Sequence, residues 1–255
     1  MRRGPLKALL LTGVAGLLIC SSAYGLQILI GKTVVSATAE IAPRALPAKG
    51  NAPVTISNIT RIHETDGSPP PTLSEMTFMF DKHGSVDTKG LPVCTTAKLT
   101  EATPAEARKR CAKAIVGEGI GKAIVTLPGT APQQISSPLT LFNAPPQNGR
   151  PSLIVHAYET VPAPKALLVP LTIERIQHGR YGFQVKIQVP PIADGHGAAT
   201  LAEAQVGKTW KRGGRTVGFL SAHCNGGRLQ VHGALEFADG SFFPGTLTSP
   251  CHVAG

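Results

Sequence analysis

The stretch Arg180–Pro190, RYGFQVKIQVP, alternates in character. Tyr181, Phe183, Val185, Ile187 and Val189 fall on one side, and Gln184, Lys186 and Gln188 on the other. Successive side chains of an extended chain point to opposite faces, so this period of two predicts a strand with one face buried and one wet. Arg228–Phe237, RLQVHGALEF, repeats the pattern, with Leu229, Val231, Leu235 and Phe237 in and Gln230, His232 and Glu236 out. Other extended candidates are VTISNITRI, SEMTFMF, KAIVTL, PLTLF, SLIVHAY, LLVPLTIERI, RTVGFLSA and SFFPGTLT. The turn signals DGS, NGR, DGHG, NGG and ADG recur between them. About ten short strands at such spacing predict a mainly β chain, an antiparallel β-sandwich or a flattened barrel.

One helix interrupts the pattern. Thr103-Pro104-Ala105-Glu106 has the form of a capping box with proline at the first helical position. It predicts a helix over 104–116, stopped by Gly117.

The N-terminus reads as a targeting segment. Arg2, Arg3 and Lys7 precede a run with no charge from Ala8 to Gly31. A basic start, an apolar run and small residues after it describe an export signal peptide, with cleavage expected before Leu26 or Glu40. The run is also as long as a transmembrane anchor requires, and its positive flank would leave the N-terminus inside. Both readings put the remainder outside the cytoplasm, extracellular or anchored to the outer face of the membrane. The predicted organisation is therefore 1–36 signal or anchor, 37–53 a flexible Ala/Pro-rich linker, and 54–255 one β domain.

Beyond Cys20 in the targeting segment, four cysteines remain: Cys94, Cys111, Cys224 and Cys251. An even number in an exported chain reads as a disulfide framework. Three pairings are possible, and proximity favours Cys94–Cys111 and Cys224–Cys251. A zinc site at His223-Cys224 and Cys251-His252 is disfavoured. Neighbours on an extended chain point apart, and the usual C-x₂₋₄-C spacing is missing. No metal and no cofactor are expected.

The net charge is +10, with Arg2, Arg3 and Lys7 contributing three of the positive charges. A scattered basic surface favours anionic cell-envelope components as partners. No nucleic-acid partner is expected, because basic clusters with interleaved aromatics are missing.

GRYGFQVKIQVPPIADGHG, SAHC, the FADG turn and the closing SPC, with LPVC, LFNAPP and VPAP before them, carry a resemblance. Over roughly Pro53 to the C-terminus the chain resembles a group of exported β-rich proteins of high-GC Gram-positive bacteria. That group has no established activity. The resemblance implies an exported β domain and supplies no catalytic residues.

Motifs suggestive of chemistry are weak. Gly31-Lys32-Thr33 lacks the upstream glycine of a phosphate loop, since Leu26 stands there. GEGIGK at 117–122 follows a predicted helix, whereas a dinucleotide fingerprint precedes one, so it reads as helix stop and turn. Asp194-Gly195-His196-Gly197 is the most suggestive loop. An Asp and a His there could serve Ser221 or Ser241 as nucleophile, but no G-x-S-x-G elbow presents either serine. Trp210, beside Lys208, Lys211 and Arg212, reads as a plug for one end of the fold or a contact for a sugar or lipid headgroup. His156 and His232 read as strand packing or surface residues, and Glu75, Glu159, Glu174 and Glu236 as wet strand faces. Three functions follow: a non-catalytic binding or structural role at the cell envelope, a secreted hydrolase using Asp194 and His196, or a carrier of a lipid or other apolar ligand. Packed and hollow cores share the same alternation, so the pattern does not separate the last from the first.

Overall fold

The computed structural model describes residues 25–254. The chain forms strands β1 (Gly25–Ile30), β2 (Thr33–Ala42), β3 (Ala45–Leu46), β4 (Ala52–Glu64), β5 (Leu73–Asp81) and β6 (Gly84–Val86). Helices α1 (Thr96–Leu99) and α2 (Pro104–Arg110) follow. Then come β7 (Ile115–Val125), β8 (Gln133–Gln147), β9 (Arg150–Glu159), β10 (Lys165–His178), β11 (Tyr181–Gln188) and β12 (Gly197–Val206). The chain finishes with β13 (Thr209–Arg212), β14 (Arg215–Gly218), β15 (Leu220–Ala222), β16 (Arg228–Phe237), β17 (Phe242–Pro250) and β18 (His252–Val253). Among the described residues, no helix is long and apolar enough to cross a membrane.

Twelve strands run in the order β1-β2-β4-β12-β7-β8-β9-β10-β11-β5-β16-β17, all neighbours antiparallel. The sheet curls until its two edges meet, giving a nearly closed barrel rather than a sandwich. Ladder hydrogen bonds join every neighbour except β1 and β17. There the seam is closed by side chains. Leu26 and Ile28 lie so close over Gly245 that a Cβ there would stand 1.9 Å from Leu26 Cδ2. Further along, the Ile41 amide of β2 donates to the Ser249 hydroxyl of β17 at 3.1 Å. Leu29, Ile30 and Phe242, also on the two seam strands, are exposed.

The two diagnostic strands pair with a common neighbour, β5. Phe78 stands opposite Val185 and Gly233, and Phe80 opposite Phe183 and Val231. Their inward faces are those the alternation predicts.

Three expectations need correction. The Ala/Pro-rich stretch 37–53 is no flexible linker: it carries the end of β2, all of β3 and the start of β4. Its Ala39, Ile41 and Leu46 are buried, because small and aliphatic residues alternate in TVVSATAEIA as they do in any half-buried strand. The β domain therefore starts well before residue 54, and residues 25–36 of the expected targeting segment form β1, its turn and β2. The basic start and most of the apolar run lie outside the described residues.

The predicted helix is also shorter. Its capping box is present, with Glu106 N donating to Thr103 Oγ1 and Thr103 N to Glu106 Oε2. It ends at Arg110, and Cys111 has left helical geometry at φ −126°. A single 3₁₀ turn (112–114) leads into β7.

GEGIGK is consequently strand, not turn. Gly117, Gly119 and Gly121 share the inward face of β7, opposite Val206, Ala204 and Ala202 of β12. A Cβ at Gly119 would lie 1.9 Å from the Glu203 carbonyl oxygen, so the two backbones approach closer than any side chain allows. Such glycines mark the tight bends of a barrel wall.

Both expected disulfides are present: Cys94–Cys111 and Cys224–Cys251. The first fastens α1 and α2 over the outer face of β8 and β9. Phe142 and Ile154 point out into that cap, where they pack with Cys94, Leu99, Ala102 and Ala107. Thr140–Ala144 is therefore buried on both faces. The second disulfide holds β18 beside β3, close to Leu46 at one end of the barrel.

Candidate ligand-binding cavity

The barrel is hollow. A cavity of about 260 Å³ lies inside it, reached by inward side chains from nearly every strand of the ring. Phe78, Phe80, Phe183, Val185, Ile187 and Leu247 line it. Several of these, although inward, are only half-buried, because their free faces look into empty space. Among the described residues, no Lys or Arg lines it. An apolar cavity of about 150 Å³ stays dry and accepts a small aromatic molecule, so a larger one with this lining suits an apolar ligand.

The two ends differ. At one, Phe237 and Phe243 stack edge to face at 5.3 Å between centroids and pack with Val35, Ile62, Leu73 and Leu235. The other end is spanned by β15, which pairs with the start of β4 on one side and β6 on the other, and so crosses between opposite walls. Polar residues gather beneath this crossing. Asp81, 4 % exposed, lines the cavity. Its carboxylate accepts from the His83 amide (3.1 Å), Arg180 Nε (2.7 Å) and the Gln230 amide (3.2 Å), and lies 2.6 Å from His83 Nδ1. Arg180 Nη2 also donates to the Arg228 carbonyl at 2.6 Å. The His83 ring meets His223 edge-on at 5.0 Å. His223 Nδ1 lies 2.7 Å from Asn51 Oδ1, and Asn51 Nδ2 donates to Ser85 Oγ at 2.7 Å. Asp81, Ser85, Ser221 and Gln230 are the polar residues of the cavity wall at this end, but Ser85, Ser221 and Gln230 alternate along their strands with inward Val86, Leu220, Leu229 and Val231, so their side chains fall on the outer face.

Asp81 and His83 stand as the orienting acid and base of a catalytic triad would. Among the described residues, however, no hydroxyl or thiol is hydrogen-bonded to the other ring nitrogen of His83. No group of side chains able to hold a metal ion occurs among the described residues either.

The residues singled out from sequence lie elsewhere. Asp194, at φ +55°, is 65 % exposed and pairs with Lys165 at 2.6 Å. That pairing, followed by one with Glu159, raises the Lys165 pKa. No hydrogen bond joins Asp194 to His196. Ser241 is held by Asp239 in the β16–β17 turn, and Ser221 lies on β15 across the cavity end. The loop and the two serines are not assembled into one site. Glu159, expected on a wet face, is buried at 3 % and accepts the Ala193 amide at 2.7 Å, which fixes that loop. Trp210, on the β13–β14 hairpin, packs against the interior cluster around Phe219. The hairpin is tied down by Arg212, which donates to both oxygens of Asp87 at 3.1 and 2.6 Å. This bond is the main reason the Asp87 pKa is lowered. His156 is fully buried under the helical cap, 2.8 Å from the Ala102 carbonyl.

Sequence reasoning missed the Asp81–His83 cluster. Its only signal is the polar tetrapeptide DKHG closing the run SEMTFMF.

No protein-family model matches the chain. No curated protein is similar to it. Among solved structures, the N-terminal domain of a Streptococcus gordonii adhesin is distantly similar, with a TM-score of 0.34 and 12 % identity over 85 % of this chain. This chain spans 32 % of the length of that one. What the chain itself displays is an antiparallel β-barrel with two disulfides, a combination suited to an extracellular, oxidising location.

Proposed function

We propose that the protein is an exported, non-catalytic binding protein that holds an apolar molecule inside its barrel. The apolar hollow carries this reading: burying aliphatic and aromatic surface that now faces empty space is worth about 25 cal/mol per Å². The apolar run at the N-terminus and the two disulfides support export. The resemblance to exported proteins of high-GC Gram-positive bacteria agrees with it. A scattered positive surface suits a place beside anionic envelope components.

The test is titration of the oxidised protein with N-phenyl-1-naphthylamine, whose fluorescence rises in apolar surroundings. Saturable binding is expected. Ala204→Phe, which fills the cavity from β12, should abolish it while leaving the circular dichroism spectrum unchanged. Absence of saturable binding by the wild-type protein would refute the proposal.

A further inference from the structure

Among the described residues, the seam between β1 and β17 is the only break in the ladder of the ring, and it borders the cavity. We propose that this seam is the gate of the barrel: an apolar ligand enters and leaves sideways between β1 and β17, not through either end. This rests on the cavity being a binding site.

Each seam strand is held in the sheet by one neighbour alone, β1 by β2 and β17 by β16. Elsewhere in the ring, parting two strands breaks a row of backbone hydrogen bonds and leaves their polar groups unpaired, which is costly. At the seam, apolar contacts part instead, together with the bond from the Ile41 amide to Ser249 Oγ. The contact is thin at Gly245. Having no side chain there, β17 lets Leu26 and Ile28 rest on its backbone. Both side chains line the cavity, as do Phe243 and Leu247 across the seam, so moving them uncovers the chamber directly. Neither end offers such a path. Phe237 and Phe243 pack with Val35, Ile62, Leu73 and Leu235 at one, and β15 is laddered to both β4 and β6 across the other. The outside of the seam is itself apolar. Leu29 and Ile30 on β1 and Phe242 on β17 are exposed, and an apolar molecule resting on them is partly out of water before it enters.

The experiment locks the seam. Leu26 Cγ lies 3.4 Å from where a Cβ at residue 245 would stand, so Leu26→Cys combined with Gly245→Cys can form a disulfide across it. Leu26→Ser with Gly245→Ser is the unlinked control. Uptake and release of N-phenyl-1-naphthylamine are followed by stopped-flow fluorescence, with the cross-link verified by mass. The cross-link should slow both rates by at least about tenfold and keep the dissociation constant within about twofold of the control, because a gate changes passage and not the bound state. A second lock, Ser85→Cys with Ser221→Cys, joins paired residues on the outer face of β6 and β15 and should change neither rate. Ser249→Ala, which frees the Ile41 amide, should speed both rates about two- to tenfold, the worth of one hydrogen bond. Slowing by the lock at β15 rather than at the seam, or rates that neither the seam lock nor Ser249→Ala alters, would overturn the inference while leaving the cavity reading intact. Failure of the probe to bind the wild-type protein overturns both. Ser249→Ala needs no new disulfide, so the test survives even if the seam lock does not fold.

Discussion

The two disulfides close loops of similar span, yet they fasten different things. Cys94–Cys111 bridges residues 17 apart and holds two short helices against the outside of the barrel. Cys224–Cys251 bridges residues 27 apart and holds the chain terminus and β3 at the cavity end, near Asp81, His83 and His223. The outer cap buries both faces of β8 and touches nothing a ligand could reach. The end cap packs with Ile41, Val54, Ala222 and Leu229, all of which line the cavity. Equal covalent reinforcement thus serves the wall in one place and the chamber in the other.

Substitutions can break that comparison. The largest effect is expected for Phe142→Ala under the outer cap, where a fully buried ring is lost. Chemical denaturation should show a loss of about 3–5 kcal/mol. Probe affinity of the folded protein should not change.

Next come the disulfides. Replacing Cys94 and Cys111 with Ala, or Cys224 and Cys251 with Ala, should each cost about 3 kcal/mol in the chain-entropy picture. Only the second pair should alter the rates of probe uptake and release, measured by stopped-flow fluorescence. Equal kinetic effects would erase the distinction between wall and chamber.

A smaller effect is expected at the start of α2. Thr103→Ala removes the cap and should cost about 1 kcal/mol in thermal or chemical unfolding, with no change in probe binding. The Thr103 amide, which that substitution keeps, and then the Thr103 hydroxyl, which it removes, are the main reasons the Glu106 pKa is lowered.

The smallest lies at the opposite end of the barrel from the Asp81–His83 cluster. Asp66 accepts from the Ser68 side chain and amide and from Lys32, which hold its pKa down to about 2. The folded state favours its ionised form. This contribution is therefore present above the ordinary carboxylate value of 3.8 and is lost as pH falls towards 2. Asp66→Asn should lower the melting temperature slightly at pH 7, and the difference from wild type should vanish near pH 2.

Much of the barrel was legible from residue order alone. Tyr181–Val189 and Leu229–Phe237 alternate because one face meets the cavity and the other water. PLTLF was read as extended and lies in β8, but the outer cap hid how far that strand runs: with Phe142 and Asn143 both buried, alternation disappears there. Gly117–Gly121 read as a turn because glycine usually breaks strands, whereas here a tight bend demands it. Thr33–Ala42 was obscured by its small residues and by the proline that follows. The cavity left no trace in the pattern, since the same inward residues would pack a solid core. Asp81 and His83 gather Arg180, Gln230, His223 and Asn51 from distant segments, a convergence that only the curl of the sheet creates.

The unladdered seam has a consequence for how the molecule is made. It joins the first described strand to the last long one, so its closing contact, Leu26 and Ile28 over Gly245, spans nearly the whole described chain. Contacts of such separation carry a large loop-closure entropy and belong to slow-folding topologies. A chain produced from its N-terminus must keep Leu26, Ile28, Leu29 and Ile30 waiting until Phe242–Pro250 arrives. During that interval the apolar lining of the ring is open along its full height, and the nascent protein is at its most adhesive.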